Sequence, residues 1–197
     1  MKQMLRRIRL AIPLLIPGST ADAAPFTITL DTSSLSGTQT VMFGFTNFDS
    51  SSNTVVLSDF TFGGGSAVAG SADCTFGGQL SGLGCSGDLT SGVTLEDLDP
   101  TAVFFSQQFE PGAALSFALI TTNDFTGPVP DQFALYVCDA GVSTCYSDDA
   151  TAALLLLDLA GGAHSPASFV LFGASEQGLP APVVTATTTP EPGTLLL

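Results

Sequence analysis

Apolar residues recur at every second position through much of the chain, and this period limits the fold more than any other feature. In residues 26–31, Phe, Ile and Leu alternate with Thr, Thr and Asp, and residues 41–46 repeat the pattern with Val, Phe and Phe. Successive side chains of a β-strand point to opposite faces, so each segment predicts a strand with one buried face. Similar segments lie at 54–62, 92–95, 102–109, 113–121, 132–138, 152–159 and 168–172.

Glycine and proline separate the predicted strands at frequent intervals. The turn signals are Gly63-Gly64-Gly65, Asp99-Pro100, Pro111-Gly112, Gly127-Pro128 and Gly161-Gly162. Many short strands with such turns predict an all-β fold, an antiparallel β-sandwich of jelly-roll-like form. We place this single domain at residues 24–176, a length that can bury a sizeable core. The four leucines at 154–157 fit either a buried strand or a short buried helix, and we favour the strand.

The charges of the chain are strongly unbalanced. Eighteen Asp and Glu residues face only 4 Lys and Arg residues, and the net charge is -14. All four cations, Lys2, Arg6, Arg7 and Arg9, lie within the first nine residues. The remainder of the chain therefore cannot neutralise a phosphate backbone or dock electrostatically on an anionic membrane, which excludes nucleic acid as a partner.

The first 23 residues have the order of parts of an export signal. A cationic start is followed by a short apolar run at 10–17 and by the small-residue site Ala21-Asp22-Ala23. The run is far shorter than the roughly 20 residues that cross a bilayer, so we predict a signal peptide cleaved after Ala23 and no stable membrane span. Cleavage removes every Lys and Arg together with Asp22, and the mature charge is then near -17.

The four cysteines suit an oxidising compartment outside the cytoplasm, where disulfides form. Four cysteines permit three pairings, and we favour the local one, Cys74 with Cys85 and Cys138 with Cys145, because each pair closes a short loop. A zinc site is the competing interpretation. The spacings are not of the Cys-x-x-Cys type, so we do not favour zinc.

Beyond residue 176 the composition shifts to Pro, Thr, Ala and Val, which predicts a linker at 177–197. It contains Pro190-Glu191-Pro192-Gly193-Thr194 followed by three leucines. This ending resembles the sorting motif of the bacterial PEP-CTERM proteins. The resemblance implies export, processing by an exosortase, and delivery to the surface or extracellular polysaccharide of a Gram-negative bacterium. In that family an apolar membrane helix and an Arg cluster follow, whereas three leucines cannot span a bilayer, so exosortase is expected as a partner only if such an anchor exists.

A second resemblance concerns the body. Residues 30–38, 41–47 and 53–60 are similar to the opening of PEP-CTERM proteins whose β-rich body is uncharacterised. This resemblance implies a β-rich fold and a location outside the cytoplasm, but it implies no activity. The residues themselves add one local prediction, namely that Asp31-Thr32-Ser33 caps a turn through hydrogen bonds from the backbone to the side chain.

Carboxylates are the one plentiful functional group. We predict no catalytic residue, because the only histidine, His164, lies in a polar turn and no Gly-x-Ser-x-Gly elbow accompanies it. Calcium is the one cofactor that the acids suggest, since it takes six to eight oxygen ligands. The candidate ligands are Glu96, Asp97, Asp99, Asp148 and Asp149. A solvated acidic surface is the alternative, and we favour it because no EF-hand loop is present.

These features predict a non-catalytic protein that is secreted or displayed on the cell surface and associates with exopolysaccharide. The alternative is a carbohydrate-binding module that uses calcium to reach sugar hydroxyls or uronates. A glycoside hydrolase with two carboxylates is a third interpretation. It is the least favoured, because the chain has no Trp and its only tyrosines are Tyr136 and Tyr146.

Overall fold

Two antiparallel sheets of six strands each pack face to face, so the predicted β-sandwich is confirmed. The computed structural model describes residues 25–48, 53–75, 84–96, 102–122, 129–159 and 168–186. The first six strands are β1 (Phe26–Asp31), β2 (Gln39–Thr46), β3 (Thr54–Thr61), β4 (Ser66–Ala67), β5 (Cys85–Asp88) and β6 (Gly92–Glu96). The others are β7 (Val103–Glu110), β8 (Ala114–Thr121), β9 (Asp131–Asp139), β10 (Leu155–Leu159), β11 (Ser168–Leu171) and β12 (Val183–Ala186).

The strand order is that of a rolled hairpin, as in a jelly roll. Sheet A has the order β12-β1-β8-β3-β6-β5, and sheet B has the order β11-β10-β9-β2-β7-β4. Strand β1 pairs with β8, β2 with β7 and β3 with β6, always antiparallel. The innermost members, β4 and β5, do not pair with each other but join opposite sheets, next to β7 and β6. The disulfide Cys74–Cys85 connects the segment after β4 to the start of β5 and so joins the two sheets covalently at this edge.

A cluster of phenylalanines fills the space between the sheets. Phe43 of β2 is fully buried, and its ring lies 5.3 Å from that of Phe117 in sheet A and 6.0 Å from that of Phe105 in sheet B. Most inward residues of the long strands are Phe, Leu, Ile and Val, as the period-two pattern predicts, and Gln39, Gln107 and Asp131 are buried polar exceptions. The apolar alternation of the sequence is therefore the pattern of this core.

Leu155, Leu156 and Leu157 of the four-leucine run lie in strand β10. Leu155, Leu157 and Leu159 are buried, Leu156 and Asp158 are turned outward, and the segment pairs with β9. Ala152 precedes it with a φ of 60°, a left-handed conformation that breaks any helical start. The strand interpretation is confirmed for residues 155–159.

The tail differs from the prediction of a linker beginning at residue 177. A 3₁₀ turn at Ser175–Gln177 ends at Gly178, whose left-handed φ of 68° reverses the chain. Leu179 is then buried, and β12 adds to sheet A beside β1. The sandwich extends to Ala186, because a buried Leu179 and the hydrogen bonds of β12 hold a segment that composition alone assigns to a tether. The predicted signal peptide and sorting motif lie outside the described residues.

Candidate functional site

The predicted calcium candidates do not come together as one group in the described part of the chain. Glu96 is the exposed last residue of β6, and Asp97 and Asp99 lie outside the described residues. Asp148 accepts hydrogen bonds from the backbone N–H and hydroxyl of Ser175, at 2.9 and 2.6 Å. Asp149 accepts from both groups of Thr151. Across the described residues no three His, Cys, Asp or Glu side chains are grouped to hold a metal ion.

Most described aspartates cap a turn through a nearby serine or threonine. At Asp31 the N–H and hydroxyl of Ser33 both donate to the same carboxylate oxygen, at 3.0 and 2.6 Å, which confirms the predicted cap. Asp73 and Asp88 use Thr75 and Thr90 in the same way. Asp139 uses both of its oxygens, one for the N–H of Ser143 and the other for its hydroxyl. Lys and Arg are confined to residues 1–9, so these hydroxyls and amides supply the stabilising hydrogen bonds that ion pairs supply elsewhere.

Several caps lower the pKa of their carboxyl groups. The hydroxyl of Thr90, followed by the N–H groups of Ser91 and Thr90, lowers the pKa of Asp88 from its ordinary 3.8 to about 2. A hydroxyl hydrogen bond is likewise the main reason that the pKa is lowered at Asp31, Asp139, Asp148 and Asp149. These acids remain ionised well below neutral pH.

Thr90→Val is expected to raise the pKa of Asp88 back toward 3.8, because it removes the largest of the stabilising hydrogen bonds. The folded-state pKa is depressed, so the contribution of this cap to stability is complete above about pH 4 and is lost as the pH falls through the folded-state value. Carboxyl-carbon NMR titration of the folded protein measures the shift. Thr151→Val is the matched control: it should move Asp149 and leave Asp88 unchanged, and an unmoved Asp88 in Thr90→Val would contradict the assignment.

One aspartate, by contrast, is fully buried. Asp131 accepts the N–H of Phe48 at 2.9 Å and the side-chain N–H of Asn53 at 2.7 Å. The amide oxygen of Asn53 accepts the hydroxyl of Thr122, whose oxygen accepts the N–H of Thr54. This network joins the ends of β2 and β9 in sheet B to β3 and β8 in sheet A. The donors to this buried side chain are a backbone N–H and a side-chain amide, both neutral. Their hydrogen bonds offset the cost of burying a polar group.

The cysteines are paired as the local prediction states. Cys138 at the end of β9 is bonded to Cys145, and the intervening turn is held by Asp139. His164 lies outside the described residues. Tyr146 donates to the side-chain oxygen of Gln39 at 2.9 Å, so this tyrosine has a structural contact.

A small cleft of about 240 Å³ opens between the segment after β4 and the turn that joins β5 to β6. Its polar side chains already have partners. Asp88 holds its own turn, while Gln107 accepts the N–H of Leu89 and donates to the carbonyl of Val68. The lining residues are Ala69, Gly70, Ala72, Gly87, Asp88, Thr90 and Gln107. The polar side chains of the cleft are thus engaged in hydrogen bonds within the protein, and those of Gln107 join the segment after β4 to the turn after β5.

The outer face of sheet A is covered mainly by hydroxyl side chains. Thr29 and Ser116 are cross-strand neighbours whose hydroxyls lie 3.0 Å apart, and Ser116 also donates to the carbonyl of Ile28. Thr27 pairs with Thr185 in the next row. Three large apolar residues interrupt this polar face: Val56 and Ile120, which are cross-strand neighbours and 37% and 39% exposed, and Val183 beside Thr29, which is 62% exposed.

The outer face of sheet B instead carries an apolar row across five strands. Strand pairing aligns one residue from each of β7, β2, β9, β10 and β11. Tyr136 lies in the adjacent row, beside Met42. We call this set the sheet-B strip; its members are Phe104, Gly44, Ala134, Leu156, Val170 and Tyr136. It extends over four inter-strand spacings of about 4.8 Å, or roughly 19 Å.

Gly44 lies beneath the two aromatic rings of the strip. A Cβ at this position would lie 2.8 Å from Cε1 of Phe104 and 3.5 Å from Cε2 of Tyr136. The absence of a side chain thus lets both rings lie against the sheet. Burial raises the pKa of Tyr136 above 10.0, so its hydroxyl is a neutral hydrogen-bonding group at physiological pH.

Polar residues border the strip on both sides. On one side Gln132 donates to Asp158 at 2.8 Å. On the other, the side-chain amide of Gln108 and the hydroxyl of Thr40 both donate to the carbonyl of Ala140. An apolar centre with polar borders is the arrangement of a binding surface.

Comparison of the chain with protein-family models, curated proteins and solved structures finds no match. The described residues include no helix long and apolar enough to cross a membrane. The sheet-B strip was not found from the sequence, because Phe104 and Tyr136 occur in strands whose inward neighbours are also apolar. The small residues Gly44 and Ala134 between larger apolar residues were the available signal.

Proposed function

We propose that this is a non-catalytic protein of the cell exterior that associates with extracellular polysaccharide. The observation that carries the proposal is the apolar strip on sheet B, which crosses five strands and includes Tyr136, whereas sheet A has mainly hydroxyls and no continuous apolar row. An aromatic ring bordered by amides and hydroxyls suits a sugar chain, which has both C–H faces and hydroxyl edges. The capped aspartates support the absence of catalysis in this proposal, because at least one oxygen of each carboxylate accepts the hydrogen bonds that hold a turn.

The proposed location outside the cell rests on the sequence together with the disulfides. An export signal at 1–23, two disulfides and an ending that resembles PEP-CTERM proteins all suit secretion or surface display in a Gram-negative bacterium. Sorting by an exosortase belongs to this proposal only with an anchor beyond the three leucines. The exported product should begin at Ala24, and N-terminal sequencing of the secreted protein measures this.

Affinity electrophoresis of the exported protein through gels containing polysaccharide tests the proposal. We expect at least one polysaccharide to retard the protein, in calcium and in chelator alike, because the capped acids have hydrogen-bond partners within the chain. Retardation that disappears in chelator would favour the alternative of a calcium-dependent carbohydrate-binding module. Release of reducing sugar, abolished by replacing one carboxylate, would establish a hydrolase. A protein that no polysaccharide retards would contradict the proposed function.

A further inference from the structure

We propose that the sheet-B strip is the docking surface for an uncharged polysaccharide chain that lies across the strands. The inference rests on the proposed function and deepens it by naming the surface and the class of glycan. The alternative occupants of an apolar sheet face are a second copy of the chain, an acidic glycan and a cationic partner. Charge and geometry distinguish among them.

Accessible apolar surface lies along the strip. Val170 is 43% exposed, and Leu156 and Tyr136 are partly exposed, so atoms of three strands are presented to a partner. Ala134 lies between Leu156 and Gly44 in the same row, and its small side chain keeps the surface at the centre of the strip close to the backbone. The strip is therefore a shallow band that runs perpendicular to the strands. An extended chain fits such a band better than a compact ligand does, because the surface has length without depth.

The charge of the protein selects an uncharged partner. The body and tail beyond Ala23 carry 17 acids and no Lys or Arg, so both an acidic glycan and a second copy of the protein are repelled. Among the described residues, the carboxylate beside the strip is that of Asp158, which accepts a hydrogen bond from Gln132. A cationic partner has no cluster of acids on the strip to hold it. An uncharged glycan meets no like charge and finds neutral amides and hydroxyls along the borders.

Tyr136 provides the central contact in this arrangement. Its ring presents an apolar face for the C–H groups of a pyranose, and its hydroxyl stays protonated as a donor or acceptor for a sugar hydroxyl. Phe104, across Gly44, extends the aromatic surface toward β7. The outer face of sheet A has no equivalent band, because its exposed apolar residues do not form one row: Val56 and Ile120 are neighbours, whereas Val183 lies in another row beside the hydroxyls of Thr29 and Ser116.

Affinity electrophoresis with uncharged polysaccharides tests the inference, using hydroxyethyl cellulose, xylan, galactomannan and dextran beside alginate as the acidic comparison. We expect one or more of the uncharged set, and not alginate, to retard the wild-type protein. Tyr136→Ala should weaken that binding about tenfold or more, as expected for an aromatic residue at the centre of an interface. Tyr136→Phe keeps the ring and should remain within about threefold of wild type.

A matched pair of valines separates binding from folding. Val170→Asp places a charge on the strip, whereas Val56→Asp makes the same change on sheet A at a residue of similar exposure, 43% against 37%. We expect only Val170→Asp to lose binding, with near-ultraviolet circular dichroism confirming that both variants are folded.

Four results would overturn the inference. If wild type binds an uncharged glycan and Tyr136→Ala and Val170→Asp bind it equally well, the strip is not the site although the proposed function stands. Retardation by alginate alone would also leave that function standing and reject this surface. A wild-type dimer that Tyr136→Ala dissociates would assign the strip to a second copy. Failure of wild type to bind any polysaccharide would remove both the function and the inference.

Discussion

Phe43→Ala is expected to lower the free energy of unfolding by about 3–5 kcal/mol, the cost of truncating a fully buried phenylalanine. Its ring lies between 5.3 and 6.1 Å from four others, so its loss leaves a cavity lined from both sheets. Those rings belong to Phe60 and Phe117 in sheet A and to Phe105 and Phe133 in sheet B. Denaturation in urea, followed by circular dichroism, measures the effect.

Phe48→Ala is the control for this prediction. Phe48 is 51% exposed, and only its backbone N–H takes part in the Asp131 network, so its truncation should cost less than about 1 kcal/mol. If the two variants were equally stable, the Phe43 cluster would not be the centre of the core.

Replacing Cys74 and Cys85 together with serine is expected to cost about 2.5–3 kcal/mol, the chain entropy of closing so short a loop. The separation is 11 residues, and the bond joins the segment that pairs with β7 to β5 on the other sheet. Its loss should also let the β5–β6 hairpin open, because that hairpin is the edge of sheet A. Thermal or urea unfolding measures the stability, and hydrogen exchange measures the opening.

Serine replacement of Cys138 and Cys145 is the matched comparison. This bond closes a loop of 7 residues within one end of sheet B, so a similar loss of stability should leave the amides of β5 and β6 protected. Equal loss of protection in the hairpin for both double variants would show that the first disulfide does not secure the sheet edge.

Nine of the twelve strands could be predicted from the sequence because apolar residues recur at every second position in most of them. The period in β8 is a clear case, with Leu115, Phe117 and Leu119 buried and their neighbours turned outward. Strands β4 and β5 were missed because they contain two and four residues, mostly small and polar, and their place depends on β7 and β6. Strand β12 was missed because prolines precede it, and pairing with β1 decides its structure.

The site was less predictable than the fold. The sequence analysis treated Asp148 and Asp149 as metal candidates, whereas the structure uses both in capping turns. For Asp149 the signal was present two residues along, at Thr151, in the same spacing that was recognised at Asp31. For Asp148 the partner Ser175 is 27 residues away, so only the tertiary structure brings them together. Calcium binding by the remaining candidates stays a prediction.

The pairing of β1 with β12 determines how the molecule would be oriented if it were attached to the cell surface. Phe26 pairs with Ala186, so the polypeptide enters and leaves the body at one pole. The Asp31 and Asp139 turns lie at the other ends of β1 and β9, at the opposite pole. A cell-surface attachment through either terminus would therefore hold the same pole toward the envelope. The acid-capped turns would point outward, and the sheet-B strip, which crosses the strands, would run parallel to the envelope on one flank of the molecule, open to strands of matrix passing alongside the cell.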